Sequence, residues 1–141
     1  MDELTPSLSA EVEVVREIYA ALNRNDIPAV IKAFDPQIAR IEPDDWLGGP
    51  YRGHEAVQLH FSQGRSTWAE GGCEPEQFFV AGDKIIVFLH VLVRLKDSTE
   101  WIDGRLADVF TFRNGKAIQM RTFDDQQEAL EWAGAKASNA N

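Results

Sequence analysis

The run Leu106-Ala-Asp-Val-Phe-Thr-Phe112, followed at once by Asn114-Gly115, constrains the fold of this chain more than any other segment. Alternating residues of a strand point to opposite faces, so Leu106, Asp108, Phe110 and Phe112 share one face and Ala107, Val109 and Thr111 share the other. Asn-Gly is the strongest short signal for a tight hairpin, which makes this a strand that turns straight back into an antiparallel partner. The same alternation places a carboxylate, Asp108, inside an apolar stripe. Burying an unpaired charge there costs several kcal/mol, on the order of a few pKa units. Two readings follow: a structural acid with a satisfied partner, or a protonated or pKa-tuned acid lining a pocket.

At 141 residues the chain reads as a single domain with one core. A formal net charge of -9, with no basic run, argues against nucleic acid as a partner. No stretch is apolar enough to span a bilayer and the N-terminus has no signal pattern, so a soluble, cytoplasmic protein is expected. Cys73 is the only cysteine, which excludes an intrachain disulfide and a thiolate metal cluster.

Ser9 reads as the N-cap of a first helix carrying Val12, Val15, Ile18, Tyr19 and Leu22 at helical spacing, with a frayed lead before it. Asp26 caps a second helix with Pro28 in its first turn and Ile27, Val30, Ile31 and Phe34 on its apolar face. A short strand over 38–42 is stopped by Pro43, and a Gly/Pro loop follows to Pro50. Gly53 opens a third helix with Val57, Phe61 and Trp68, closed by Gly71-Gly72. The remainder reads as strands over 78–81, 85–95, 100–113 and 116–124, with a bulge near Asp103-Gly104. A closing helix over 126–132, capped by Asp125, and a loose tail over 136–141 complete the chain. The expected fold is α+β: three helices packed on the concave face of a curved antiparallel sheet. The 85–95 strand is apolar on both faces, so the face away from the helices is expected to meet a second subunit, giving a homodimer.

Four strings carry a resemblance: Tyr19-Ala-Ala-Leu-Asn-Arg-Asn-Asp26, Ala33-Phe-Asp-Pro-Gln-Ile-Ala-Arg-Ile-Glu-Pro43, Tyr51-Arg-Gly-His-Glu-Ala-Val57 and Asp108-Val-Phe-Thr-Phe-Arg-Asn-Gly-Lys116. In order and spacing the chain resembles the nuclear transport factor two-like superfamily, over residues 10–132, as one SnoaL-like domain. Within it the chain is similar to the Δ5-3-ketosteroid isomerases and the SnoaL-like polyketide cyclases. That resemblance implies a cone-shaped, cystatin-like or ketosteroid isomerase-like fold holding a small apolar molecule in its open end. It also implies roles. Glu42, just before Pro43, takes the position of the isomerases' carboxylate base. Asp108 takes the position of their oxyanion-donating acid, an established case of a carboxylic acid kept neutral by an apolar site.

The sequence also departs from the family pattern. Ile18 stands where the isomerases carry an oxyanion-donating tyrosine, and Tyr19 is turned about 100° from that position on a helix. Phe61 replaces a supporting tyrosine, Thr122 stands where the classical cyclases carry an aspartate, and Leu106 where limonene epoxide hydrolases carry an arginine. Asp124, on the same strand face as Thr122, is a candidate for the pocket mouth.

Glu42 shares a strand face with Arg40, so it reads either as a solvated partner of Arg40 or as a general base. His90 lies on the face of Ile86, Phe88 and Leu92 and is the natural partner of Asp108 if that face lines the pocket. His60, Phe61, Tyr19, Phe110, Phe112, Thr122 and Asp124 are candidate ligand contacts. Trp46 and Tyr51 flank the Gly/Pro loop as a candidate lid. Cys73 reads as incidental, and His54, at the start of the third helix, as exposed. The histidine spacing fits no metal set and there is no phosphate or dinucleotide loop, so neither metal nor cofactor is expected. Cofactor-free acid/base chemistry on a carbonyl-bearing substrate and a non-catalytic binding or dimerisation module are the two readings left open.

Overall fold

A computed structural model of the chain describes residues 4–46 and 49–135. The elements run α1 (Leu4–Asn23), α2 (Ile27–Lys32), β1 (Phe34–Ile41), β2 (Tyr51–Arg52), α3 (Gly53–Arg65), β3 (Trp68–Ala81), β4 (Lys84–Leu95), β5 (Trp101–Arg113), β6 (Lys116–Phe123) and α4 (Gln126–Ala133). The strands form one curved, unclosed six-stranded sheet in the order β2-β1-β6-β5-β4-β3. Every pair is antiparallel except β1 with β6, so the expected all-antiparallel sheet is mixed at that one seam.

Helices cover both faces. From α1, α2 and α3, Val15, Leu22, Val30, Ile31 and Val57 bury against Ile85, Val87, Leu89, Phe110, Phe112 and Met120. On the other face α4 places Ala129 and Leu130 against Ile86, Ala107, Val109 and Phe123. The double-sided apolar pattern of β4 is therefore explained in part by a fourth helix. Asp125 caps α4 by accepting from the Glu128 amide, as Asp26 caps α2 through the Ala29 amide.

Some expected boundaries move. The first helix starts at Leu4, with Ser9 inside it; Pro6 falls in its first turn, where a missing N–H is harmless. Phe34 belongs to β1, and Trp68 begins β3 instead of extending α3. β3 runs straight through Gly71 and Gly72, which the sequence reads as closing the third-helix region, and through Pro75. It is an edge strand, where proline costs no ladder bond on its outer side. Its irregularities lie at Trp68/Glu70 and Pro75/Gln77, while Asp103 and Gly104 pair with β4 without a break, so the bulge expected there is absent and the irregularity of β5 lies at Thr111/Phe112 against β6. The tail over 136–141 lies outside the described residues. Asn114 and Gly115 both have positive φ, 54° and 79°, the conformation a tight two-residue hairpin demands.

Two features fix β3 against its neighbours. The Asn23 side chain at the end of α1 pairs with the Cys73 backbone as a strand would, at 2.9 Å in both directions. Gly71 sits at φ 102°, and a Cβ there would lie 2.0 Å from the Leu92 carbonyl oxygen. Gly71→Ala is expected to destabilise the fold by about 1–3 kcal/mol from backbone conformation alone, with the clash adding to it. The check is a lower urea midpoint at unchanged slope.

Candidate active site

β5 projects Leu106, Asp108, Phe110 and Phe112 toward the helices, and Asp108 is 3% exposed. Its register partner on β6 is Thr122, and its partner on β4 is Val87. The Thr122 hydroxyl donates to Asp108 Oδ1. The Tyr19 hydroxyl, reaching down from α1, donates to Asp108 Oδ2. Val15, Ile18, Tyr19 and Leu22 are all buried on α1, and of these it is Tyr19 whose side chain bonds to Asp108, whereas Ile18 borders an outer groove. Tyr19 thus meets the acid although it stands one residue past the family's tyrosine position. Burial, and then the neighbouring Asp108, push the Tyr19 phenol well above its ordinary pKa, so it stays a donor.

Glu42 follows β1 directly, its side chain 9% exposed. His60, on α3, places Nε2 2.8 Å from Glu42 Oε2, and an Arg40 terminal nitrogen lies 3.4 Å from the same oxygen. Arg40 is itself held by the carbonyls of Ile41 and Met120 at 3.0 and 3.3 Å. Burial raises the Glu42 pKa, but the hydrogen bond from His60 and the charge of Arg40 outweigh it and leave the carboxyl below its usual value. Glu42 is thus a carboxylate at neutral pH. Arg40 pairs with it, as one sequence reading expects, yet the pair is buried instead of solvated.

Asp108 and Glu42 line the same cavity, of about 380 Å³, together with Tyr19, Trp46, His60, Phe61 and Thr122. That size suits a small organic molecule. Leu106, Leu89, Val91 and Met120 give it apolar walls. The other candidates lie elsewhere. His90 is on the opposite face of β4, 2.7 Å from Asp103, and does not partner Asp108. Phe110 and Phe112 are core residues, Phe110 meeting the Tyr19 ring edge-on at 6.0 Å. Tyr51 stacks on the His60 ring at 3.9 Å and stands behind it, outside the cavity wall. Asp124 is exposed and borders a smaller recess of about 220 Å³ that shares Glu42 and Thr122 with the cavity.

Sequence reasoning passed over Cys73, Arg40 and Trp68, all of which line the cavity. Burial, and then the charges of Asp108 and Glu74, push the Cys73 thiol up to about 12, so it is no nucleophile. A larger groove of about 600 Å³ runs between α1, α2 and the Gly115 turn, walled by Glu13, Glu17, Arg24 and Lys32, and contains none of these site residues. Among the described residues no helix is long and apolar enough to cross a membrane.

A family model for the SnoaL-like domain matches residues 15–120. The chain belongs to the SnoaL-like domain family. No curated protein matches it. Among solved structures, this SnoaL-like domain is similar to a nuclear transport factor two-like protein of unknown function from Burkholderia pseudomallei K96243, at 27% identity and TM-score 0.74, over 89% of this chain and 98% of that one. A putative SnoaL-like polyketide cyclase from Jannaschia sp. CCS1 matches at 17% identity and TM-score 0.73, covering 91% and 94%. A protein of ketosteroid isomerase-like fold from Catenulispora acidiphila DSM 44928, in complex with trimethylamine, matches at 14% identity and TM-score 0.72, covering 89% and 95%. The last two likenesses bear on the fold alone.

Proposed function

We propose that this SnoaL-like domain is a cofactor-free acid/base enzyme acting on a small, mostly apolar, carbonyl-bearing molecule. The observation that carries the reading is the pairing, in one apolar cavity, of an ionised Glu42 with an Asp108 bracketed by two hydroxyls. Both bonds to Glu42 fall on Oε2, which leaves Oε1 to take a proton. Glu42 removes a proton from the carbon next to the carbonyl, and the C–H electron pair moves to the carbonyl oxygen. That oxygen is received by the cluster of Tyr19, Asp108 and Thr122. The two hydroxyl hydrogens are engaged with Asp108, so the cluster has a hydrogen to give when Asp108 carries one. Returning the proton to another carbon gives isomerisation, and attack of the enolate on a second carbonyl gives cyclisation.

The test is formation of a conjugated enone from steroidal and non-steroidal β,γ-unsaturated ketones, followed by ultraviolet absorbance. Turnover by the wild type that weakens strongly in Asp108→Asn supports the reading. A wild type inert toward both ketones removes isomerisation and makes a binding module the better description.

The proposal extends to a homodimer through the sheet face opposite the cavity. Leu92 and Trp101, 39% and 48% exposed, remain uncovered there. Sedimentation at micromolar concentration is expected to give twice the chain mass, and Leu92→Glu the monomer; a monomeric wild type ends that proposal.

A further inference from the structure

Arg65, the last residue of α3, is a cation held in one place. Its Nε donates to the Leu22 carbonyl and its Nη2 to the Asn23 carbonyl, both at 2.8 Å. These carbonyls end α1, where the helix dipole favours a positive charge. The guanidinium carbon lies 4.7 Å from the centre of the Trp68 ring, which fixes the group further. Closing α1 uses only part of this side chain. A guanidinium carries five N–H hydrogens, and the two carbonyls engage one on Nε and one on Nη2. Both hydrogens of Nη1 and the second of Nη2 remain, along the other edge of the plane. Among the described residues no carboxylate forms an ion pair with Arg65.

This cation borders the cavity that holds Glu42 and Asp108. His60, Phe61, Gly64 and Arg65 line that cavity from one face of α3. At a rise of 1.5 Å per residue, Arg65 stands about 7–8 Å along the helix from His60, the partner of Glu42. Between them Phe61 supplies an apolar ring, and nothing lies within 4 Å of a Cβ built on Gly64. Gly64 and Thr67 are exposed members of the lining, so the open end of the cavity is beside Arg65. The charge is also felt inside. Beside the Cys73 thiol in the cavity wall, Arg65 favours the thiolate against burial and the charges of Asp108 and Glu74.

We propose that the ligand of this cavity carries a carboxylate, received by Arg65 at the open end while the apolar body runs along Phe61 toward Glu42 and Asp108. The substrate class is then an apolar molecule with a carbonyl at one end and an acid at the other. The proposal rests on the reading of the cavity as a ligand site and needs no catalytic step. A carboxylate suits the free edge because its two oxygens match two parallel N–H bonds in one plane. The side chain is already clamped, so little of its freedom is lost on binding. A net charge of -9 gives the chain no general attraction for anions, so recognition falls to a local cation. Arg40, the other arginine in the lining, is already paired with Glu42 and held by two carbonyls.

The test uses 2-naphthylacetate and 2-naphthylacetamide, alike in size and shape and different in charge, titrated calorimetrically at pH 7. The wild type is expected to bind the acid at least about tenfold more tightly than the amide. In Arg65→Gln the side-chain amide can still donate to the end of α1. This variant is expected to bind the acid at least about tenfold more weakly than the wild type, with the affinity for the naphthyl amide kept within about twofold. If circular dichroism shows Arg65→Gln unfolded, Arg65→Lys takes its place, since it keeps the charge at α1 and loses the planar edge. There the acid is expected to weaken at least about fivefold and the amide to bind as before. A wild type that binds both probes equally overturns the proposal and leaves the acid/base reading of the cavity standing. A preference for the acid that survives in the folded variant also overturns it, and places the anion elsewhere. Binding of neither probe overturns the ligand site itself, and the carboxylate with it.

Discussion

Glu42→Gln is expected to lower turnover of the ketone probes by about 10²–10⁴-fold, with the Michaelis constant little changed. The amide keeps the size of the side chain and an oxygen for His60 and Arg40 to bond, so binding survives while the base is lost. The expected pH profile follows from the same contacts. Burial raises the Glu42 pKa, and His60 and Arg40 more than reverse it, so the folded pKa lies below the ordinary carboxylate value. The basic form therefore persists to lower pH than for a free glutamate, and kcat/KM falls only once pH drops through that depressed value. Stability carries the matching sign. A depressed carboxyl pKa stabilises the fold at pH above the unfolded value, and the contribution is lost as pH falls through the folded one. Glu42→Gln should therefore flatten both the acid limb of the rate profile and part of the acid loss of stability. A variant that keeps wild-type kcat would place the base elsewhere.

Of the two carboxylates, only Asp108 stands out from the local sequence pattern. Asp108 is fixed by its alternation with Leu106, Phe110 and Phe112 and by the Asn114-Gly115 turn that sets the strand's end. Glu42 is reached only through the family resemblance, as the residue ahead of Pro43. What alternation cannot decide is which face of a strand looks into a cavity. Residues 86, 88, 90 and 92 do share a face, but β4 is apolar on both sides because α1, α2 and α3 cover one and α4 helps cover the other. His90 thus fell on the wrong side although its parity was right. β3 was illegible for a different reason: Gly71, Gly72 and Pro75 break most strands, and only the edge position and the Asn23 side chain make this one continuous. Cys73 and Trp68 enter the cavity on that strand, so no local signal pointed to them. Arg40 was visible as a partner of Glu42, but its burial depends on α3 folding back over β1. Tyr19 shows the limit of position counting. Ile18 and Tyr19 are both buried on α1, so periodicity does not choose between them, and it is the Tyr19 hydroxyl that reaches Asp108 where the family position pointed to Ile18.

The second large effect separates core from contact. Phe110 shares the inward face with Asp108 and was a candidate ligand contact, yet it is fully buried and does not border the cavity. Its ring lies edge-on to Tyr19 at 6.0 Å and 85°, and it packs in the cluster that joins α1 to the sheet. Phe110→Ala removes a ring from a close-packed interior and leaves a void, at a cost of about 3–5 kcal/mol. A loss of that size is a large part of the stability of a domain this small. It should appear as a marked fall in the urea midpoint. The ring also backs the phenol that reaches Asp108. In protein that remains folded, the expectation is a lower kcat with a Michaelis constant close to wild type, because the lost support acts on Tyr19 and not on the ligand. The opposite pattern, a raised Michaelis constant at wild-type stability, would make Phe110 a ligand contact. It would require the cavity to reach deeper between β5 and α1 than its lining indicates, with the Tyr19–Asp108 pair standing in its wall instead of at its end.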